Sequence, residues 1–416
     1  MPIVSPIQLN IEQQALAWAA VERLLRQDYV KPDIEAVKIV CSCFAAHRIT
    51  DHPPVWLMCV APSGSLKTAI LQCLDGLLTV HFIDEVTPNT FVSGRIHDNG
   101  APQGKTRRKE RLTPASLLHR IGNDGYLVAA DFSTILSMDE RSRARILAQL
   151  RRIYDGHFTR EFGTEENLSE REWKGRLTFI TGATPDIDGH HLVFRSLGER
   201  FVQVRWPRAG GVDAGLSAMR QRPEAAVELK QAIHNLLRPV LAIGEGSPFE
   251  AKFPAPTFPP EFEVRVAHLG EFVALARAHV PRSRSEHEPD GPVYPEGNTR
   301  LPQEFAQIGR GAALLAGRTE VNEDDFNLVY RGAFDCIPAA RATIIKALQA
   351  GRSPYSTKQP LAVVKRTLED LKAVGIVTHD FMKGPNAPYT LTECAQQLLA
   401  GIGSTSPKMD MDDREV

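Results

Sequence analysis

The segment APSGSLKT at residues 61–68 carries the strongest chemical pattern in the chain. It follows a short apolar run, opens a helical pattern, and matches in part the phosphate-binding loop pattern GxxxxGK[ST]. Lys67 and Thr68 stand where that loop needs them, whereas Ala61 and Leu66 replace its two glycines. The residues expected to contact phosphate groups are Pro62, Ser63, Gly64, Ser65, Leu66, Lys67 and Thr68.

Each part of this loop has a chemical role. Backbone N–H groups at the start of the helix point at phosphate oxygens, Lys67 neutralises the charge of the β- and γ-phosphates, and the Thr68 hydroxyl is a Mg²⁺ ligand. Leu66 is the weak point, because its Cβ would narrow the loop. The sequence therefore predicts a site for ATP and Mg²⁺. A plain strand–turn–helix with a surface lysine is the alternative.

Such a loop needs a carboxylate at the end of another strand to help hold Mg²⁺. Asp84-Glu85 ends one apolar run, and Asp131 ends the next. Chain order favours Asp131, because the strand after the loop helix is normally outermost, and the following strand is expected beside the loop strand. Phe132 replaces the usual glutamate next to the acid, which leaves Glu85 and Glu140 as candidates for the base that activates water.

Polar residues also flank two later strands. Thr181 and Thr184 are candidates to position the attacking water or to contact the γ-phosphate, and a capping threonine before Pro185 is the alternative for either. Arg200 comes directly before the fifth predicted strand. An arginine there can reach a neighbouring subunit's γ-phosphate and stabilise the transferring charge. A surface salt bridge is the alternative for Arg200.

The elements that must position these residues alternate between strands and helices. Two helical patterns come first, between Ile11 and Ile49. Short apolar runs separated by helical patterns then predict a parallel sheet covered on both faces, and so an α/β fold. The five predicted strands are residues 55–61, 80–86, 125–132, 176–184 and 200–206.

After Pro207 the pattern stays helical to about Leu348, with an exposed Pro- and charge-rich loop predicted at 280–298. Residues 356–399 then show the order helix, short hairpin, helix, which is typical of a winged helix. The predicted division is an N-terminal helical segment at 1–50, an α/β core at 51–208, a helical lid at 209–349, a winged helix at 350–402 and a disordered tail at 403–416.

Three basic features predict contacts with DNA. The run KTRRKER at 105–111 would give salt-dependent affinity for phosphates, and a solvated loop is the alternative. The segment 158–177 offers Arg160, Lys174 and Trp173, although Trp173 packed against the sheet is the alternative. Basic residues also cluster on the candidate recognition helix, although winged helices often contact only protein. The residues expected to contact nucleic acid are Lys105, Arg107, Arg108, Lys109, Arg160, Lys174, Lys365 and Arg366.

Composition limits the class of protein. The 49 Lys+Arg and 50 Asp+Glu residues give a net charge of -1, which argues against bulk coating of nucleic acid but allows a local basic patch. No apolar run approaches the roughly 20 residues of a membrane span, and the N-terminus lacks a secretion signal. The six cysteines are scattered, so we expect buried reduced thiols in a cytoplasmic protein rather than zinc ligands.

The order of phosphate loop, acid strand, threonine strand, Glu-Arg-Phe and helical lid resembles that of AAA+ ATPases. The segment at 298–326 resembles the lid of the minichromosome-maintenance helicase branch. The motifs TPNTFVSG, DFSTILSM, YDGHFTREFG and SLGERF together resemble helicase-like AAA+ proteins of phages and mobile elements. The resemblance covers about residues 50–345, and the helicases also carry a winged helix.

The resemblance implies roles for particular residues. Arg300 matches the sensor-2 arginine, Arg200 the arginine finger and Thr184 the sensor-1 polar position, and the segment 158–177 falls where helicases of this branch carry a pore hairpin. The departures at Ala61, Leu66 and Phe132 bear on the rate of hydrolysis more than on nucleotide binding. The expected catalytic residues are Asp131, Thr184, Arg200 and Arg300, with Thr68 and Asp131 as metal ligands.

These features predict an AAA+ ATPase with a P-loop core built on a parallel five-stranded sheet, an α-helical lid and a C-terminal winged helix. We expect a homo-oligomeric ring or open assembly that works on DNA as a helicase-like protein or replication-associated remodeller of a phage or mobile element, away from membranes. One alternative is an ATP-dependent assembly switch without translocation. The other is a winged-helix DNA-binding regulator with a degenerate ATPase core.

Overall fold

The structure is a computed structural model of the 416-residue chain. It describes residues 9–49, 52–92, 96–97, 113–114, 116–164, 167–189, 200–208, 210–241, 253–283, 288–379 and 388–403. The strands are β1 (Trp56–Val60), β2 (Val80–Ile83), β3 (Ile96–His97), β4 (Thr113–Pro114), β5 (Asp124–Ala129), β6 (His157–Thr164), β7 (Asn167–Lys174), β8 (Arg176–Ala183), β9 (Phe201–Arg205), β10 (Val377–His379) and β11 (Tyr389–Leu391).

The helices are numbered in the same way. They are α1 (Ile11–Asp28), α2 (Ile34–Ala46), α3 (Lys67–Cys73), α4 (Leu117–Ile121), α5 (Ser133–Leu136), α6 (Glu140–Tyr154), α7 (Val212–Arg220), α8 (Ala225–Leu241), α9 (Pro260–Arg277), α10 (Arg300–Leu315), α11 (Glu323–Asp335), α12 (Ala339–Gln349), α13 (Leu361–Ala373) and α14 (Glu393–Ile402). No helix in the described ranges is long and apolar enough to cross a membrane.

Five strands form one all-parallel sheet in the order β2-β5-β8-β1-β9. This confirms the predicted parallel five-stranded sheet and the outermost position of β2. The prediction that the strand before Asp131 lies directly beside the loop strand is wrong, because β8 lies between them. Ile180 of β8 pairs with Leu57 on one side and with Val128 on the other. All residues of β8 after Arg176 are buried, as expected for a central strand covered on both faces.

The side chains of the sheet alternate between two apolar cores. Leu57 and Cys59 of β1 pack with α2, α3 and the helices that follow β9. Trp56 and Met58 pack on the other face with α4 and α6. Because successive residues of a strand point to opposite faces, helices cover both faces, as the sequence predicts.

The two N-terminal helices pack into the helical layer. Almost all of α2 is buried, and its backbone approaches α10 so closely that a Cβ at Gly311 would overlap the carbonyl oxygen of Ser42. Two ion pairs join the N-terminal helices to other parts of the chain that follow β9. Arg331 of α11 pairs with Asp33 at 2.6 Å, and Arg222 pairs with Asp28 at 2.8 Å. Residues 9–49 therefore pack tightly with the helices that follow β9.

The helix α11 covers the β9 edge of the sheet. The N–H of Arg205 donates to Asp335 Oδ2 at 2.9 Å, and the N–H of Gln203 donates to Cys336 Sγ at 3.2 Å. These contacts occupy N–H groups that an edge strand would otherwise expose. Beyond α12, the chain forms α13, the antiparallel pair β10–β11 and α14, so the predicted helix–hairpin–helix order is present.

Candidate functional site

The loop at 61–66 connects the carboxyl end of β1 to α3. Gly64 has a φ of 77°, in the left-handed region that residues with a Cβ rarely adopt. The backbone N–H groups of Gly64, Leu66, Lys67 and Thr68 donate to no acceptor within the described part of the chain. A turn with such unused N–H groups is an anion-binding arrangement.

Lys67 begins α3 and is 7% exposed. Its Nζ donates to the carbonyl oxygen of Ala183, at the end of β8, at 2.9 Å. Burial lowers the pKa of Lys67, and the nearby Asp131 acts in the opposite direction. Lys67 forms no ion pair with a residue that the structure describes, and an ammonium group has three N–H donors. Donors therefore remain for an anionic ligand.

Asp131 follows β5 at the same edge of the sheet. Its Oδ1 accepts a hydrogen bond from the N–H of Ser133 at 2.8 Å, which fixes the carboxylate at the start of α5. The hydroxyl oxygens of Ser65 and Ser133 are buried and have no hydrogen-bond partner in the described ranges. Thr68 is exposed in the first turn of α3. A carboxylate, hydroxyl groups and an ammonium group thus meet at this edge.

Gly182 allows the strand ends to approach one another. A Cβ at Gly182 would lie 2.6 Å from the carbonyl oxygen of Ala130 and 3.2 Å from Lys67 Cδ. The carbonyl oxygen of Gly182 accepts a hydrogen bond from the N–H of Phe132 at 2.6 Å. The Phe132 side chain is fully buried. The residue in place of the usual glutamate therefore serves the core rather than the site.

The other polar candidates occupy different positions. Thr184 directly follows β8 and its Oγ1 donates to Asp186 Oδ2 at 3.2 Å, whereas Thr181 is buried within the strand. Asp84 and Glu85 are exposed after β2, which β5 and β8 separate from the loop strand. Glu140 is exposed at the start of α6. Of the two threonines, Thr184 lies at the edge that carries the loop.

Arg200 lies at the opposite, amino edge of the sheet, directly before β9. It is 8% exposed, and its Nη2 lies 3.0 Å and 3.1 Å from the two carboxylate oxygens of Asp155. Its guanidinium carbon lies 5.4 Å from the ring centroid of Tyr154. In a single chain, Arg200 is therefore held by the end of α6.

Arg300 opens α10 and lies at the same tyrosine, 5.6 Å from the ring centroid of Tyr154. The Tyr154 hydroxyl donates to Glu304 Oε1 at 2.6 Å, and Glu304 is fully buried one turn after Arg300. Burial raises the pKa of Glu304 to about 7, against the opposing effects of the Tyr154 hydrogen bond and of Arg277, Arg300 and Arg200. Sequence reasoning missed Tyr154 and Glu304. The available signal was an acidic residue on the apolar face of a helix.

The loop and the two arginines occupy opposite edges of one sheet. Phe201 pairs with Trp56 at the start of β1, and Ala183 pairs with Val60 at its end. At about 3.3 Å per residue, Arg200 and the Lys67 contact are roughly 15 Å apart along the strands. The Tyr154 ring contacts the Trp56 ring at 5.2 Å, so Tyr154 and Arg300 also lie at the amino edge. Arg200 and Arg300 are therefore remote from the loop of their own chain.

The hairpin β6–β7 occupies the segment expected to be a pore hairpin. Trp173 is 3% exposed and its Nε1 donates to the carbonyl oxygen of Gly122 at 2.6 Å, so the packing alternative holds for this residue. The Arg160 guanidinium donates to the carbonyl oxygen of Val92 at 2.7 Å and to Asn89 Oδ1 at 3.1 Å. Lys174 is exposed and pairs with Glu172 at 2.7 Å.

The remaining basic candidates fall in two places. Lys105, Arg107, Arg108 and Lys109 lie outside the described residues. Lys365 and Arg366 are exposed on α13, whose opposite face is buried through Val364, Thr367, Leu368 and Leu371.

No cluster of three or more His, Cys, Asp and Glu side chains suited to a metal ion occurs among the described residues. A Mg²⁺ ion at the loop would thus take few protein ligands, as Mg²⁺ commonly does when phosphate oxygens and water complete its shell. No family model and no curated protein matches this sequence.

Proposed function

We propose that the protein is an ATP-hydrolysing P-loop enzyme of the AAA+ type that works on DNA as a homo-oligomer. The observation that carries the proposal is the carboxyl edge of the sheet. There the unused N–H groups of the loop, Lys67 without an ion pair among the described residues, and Asp131 meet. Such donors, together with a carboxylate, suit a nucleoside triphosphate with Mg²⁺.

Within one subunit, this edge binds and orients the nucleotide. The loop N–H groups contact phosphate oxygens, and Lys67 neutralises their charge. Thr68 and Asp131 are the residues that would hold Mg²⁺, and the ion would neutralise the charge that develops on the phosphate oxygens. Thr184 lies at the same edge, next to the Ala183 carbonyl that accepts from Lys67, and there it orients the attacking water.

The arginines require a second subunit. Arg200 and Arg300 lie at the amino edge, roughly 15 Å along the strands from the loop of the same chain. A neighbouring subunit that places its carboxyl edge against this amino edge would bring them to a γ-phosphate. This division of the site between two edges supports a ring or open oligomer.

The proposed action on DNA is supported by fewer side chains than the nucleotide site. Lys174 on the hairpin and Lys365 and Arg366 on α13 are exposed cations that can contact phosphates. By contrast, Trp173 is buried and Arg160 is bound to the segment 87–92, which weakens the case for a hairpin that grips a strand. This observation favours a second candidate function, an ATP-dependent assembly switch without translocation.

ATP turnover with no DNA, with single-stranded DNA and with duplex DNA separates these functions. DNA-stimulated turnover together with oligomerisation in a non-hydrolysable ATP analogue would support the proposal. Slow, unstimulated turnover would favour the switch. In the same assay, Lys67→Ala tests the loop, and Lys230→Ala, which changes a partly exposed lysine outside the loop, is its control. Absence of ATP binding by the wild-type protein would overturn both functions and leave a DNA-binding regulator with a degenerate core.

A further inference from the structure

Tyr154, the last residue of α6, lies beside two arginines from distant parts of the chain. The guanidinium carbons of Arg200 and Arg300 are 5.4 Å and 5.6 Å from the centroid of its ring. Both distances are within the range of a cation–π contact. Arg200 belongs to the sheet, because it leads into β9, whereas Arg300 belongs to the helical layer, because it opens α10. One ring thus connects two arginines from separate structural layers.

Two acids hold this arrangement in place. Glu304 lies one turn after Arg300 on α10 and accepts the hydroxyl hydrogen bond of Tyr154 at 2.6 Å, so it links the ring to the helix that carries Arg300. Asp155, the next residue after Tyr154, pairs with Arg200 at 3.0 Å. Two like charges brought to one ring repel each other, and these acids and the ring offset that repulsion.

The Tyr154 ring is itself fixed from the sheet side. It meets the ring of Trp56 edge-on, with centroids 5.2 Å apart and an interplanar angle of 82°. Trp56 is fully buried, and its Nε1 donates to the carbonyl oxygen of Leu177 at 2.7 Å. The tyrosine therefore stands on a rigid part of the core, and rigid support is what a positioning residue needs.

We propose that Tyr154 is a positioning residue that holds Arg200 and Arg300 as one unit, so that both guanidinium groups reach a neighbouring subunit's nucleotide together. This inference rests on the proposed function, because the neighbouring site must bind ATP. Tyr154 acts through the arginines and does not itself contact the nucleotide. Loss of the ring should therefore impair both arginines at once.

The kinetic test compares Tyr154→Leu, which removes the ring, with Tyr154→Phe, which keeps the ring and removes the hydroxyl. We expect Tyr154→Leu to lower kcat for ATP about tenfold or more with KM almost unchanged, because the nucleotide is bound by the loop of another subunit. Tyr154→Phe should recover most of that loss. Tyr294→Leu, at an exposed tyrosine, is the matched control. A raised KM with normal kcat, or equal losses in the Leu and Phe variants, would overturn the proposal.

The double variants give the sharper result. Tyr154→Leu should slow ATP turnover by a smaller factor in the Arg200→Ala background than in the wild-type protein, since one of the two arginines through which the ring acts is then absent. Independent, multiplicative losses would overturn the assignment.

Thermal unfolding separates this inference from the proposed function. The Tm shifts of Tyr154→Leu and Arg300→Ala should be non-additive, because the two side chains are in contact. Additive shifts in a protein that hydrolyses ATP would overturn the positioning role alone. Non-additive shifts in a protein without ATP turnover would keep the contact and overturn both the enzymatic role and the proposed function.

Discussion

The two edges of the central sheet differ in how their polar groups are satisfied. At the carboxyl edge, the loop N–H groups lack acceptors among the described residues, and so do the buried hydroxyls of Ser65 and Ser133. At the amino edge, Arg200 is paired with Asp155, and Tyr154 donates to Glu304, whose Oε2 is buried without a hydrogen-bond partner in the described ranges. Unused backbone donors suit an anionic ligand, whereas an arginine held by a carboxylate suits a surface that is already shaped. Under the proposed function, the carboxyl edge binds a nucleotide and the amino edge contributes arginines to the nucleotide site of a neighbouring subunit.

The largest expected effect is at the amino edge. Arg200→Ala should leave ATP binding nearly intact and lower the hydrolysis rate of the assembly by about 10³–10⁵, the range for an arginine that acts across an interface. Steady-state turnover and ATP binding by calorimetry measure the two effects. Normal turnover in Arg200→Ala, or hydrolysis by a strict monomer, would contradict both the arginine-finger role of Arg200 and the site shared between subunits.

Mixing variants from the two edges tests the same comparison. An intact composite site needs Lys67 from one subunit and Arg200 from its neighbour. A mixture of Lys67→Ala and Arg200→Ala subunits should therefore recover part of the activity that each variant lacks alone. A mixture that stays inactive, although the two variants co-assemble, would contradict a site shared between two subunits.

The acid at the carboxyl edge should have the next largest effect. Asp131→Asn should spare ATP binding in the absence of metal and lower the rate of Mg²⁺-dependent hydrolysis about 10³-fold. This factor corresponds to a loss of several kcal/mol of transition-state stabilisation. Asp84→Asn is the matched control, because Asp84 is exposed after the outermost strand. The reverse ranking of the two variants would show that the other acid serves the site.

Lys67→Ala should weaken ATP binding about 100-fold, because a hydrogen bond to a charged group contributes about 1.5–3 kcal/mol and Lys67 has more than one donor for the phosphates. Titration calorimetry measures this change, and circular dichroism checks that the variant folds. Unchanged affinity in a folded variant would show that the loop is not the nucleotide site.

The carboxyl edge was predictable because its signals are local. A strand, a glycine turn and Lys67-Thr68 are consecutive in the chain, and the five strands appear close to the predicted ranges. The order of the strands was harder to predict, because β8 lies between β5 and β1 through pairings that local sequence does not encode. The AAA+ assignment, the winged helix and the contacts with DNA remain predictions.

The amino edge was harder to predict because its contacts are between residues far apart in sequence. Tyr154 and Glu304 are 150 residues apart, and neither belongs to a recognisable spacing. The same holds for Arg160. The sequence predicts that it contacts DNA, whereas in the structure its guanidinium donates to the carbonyl oxygen of Val92. Tertiary hydrogen bonds determine these roles, and such hydrogen bonds form only when distant segments of the chain pack together.

Low pH should destabilise the folded protein through a buried histidine at the amino edge. There, His47 is fully buried, its Nδ1 lies 2.9 Å from Thr178 Oγ1, and its Nε2 lies 2.6 Å from Asp124 Oδ1. Burial lowers the pKa of His47 to about 4, although Asp124 opposes this shift. The unfolded chain takes up this proton near pH 6.5, and the folded chain does so only near pH 4. Stability is thus lost as pH falls through that window.

The expected size of this effect is modest. From the two pKa values, the free energy of unfolding should be about 2 kcal/mol lower at pH 5 than at pH 7 on account of His47. Urea denaturation at both pH values measures this difference. His47→Gln should reduce the pH dependence, whereas His157→Gln, at an exposed histidine of the hairpin, should not. If wild type and His47→Gln have the same pH dependence, the neutral buried histidine is not the acid-sensitive group of this edge, and the contrast between the two edges would rest on the arginines alone.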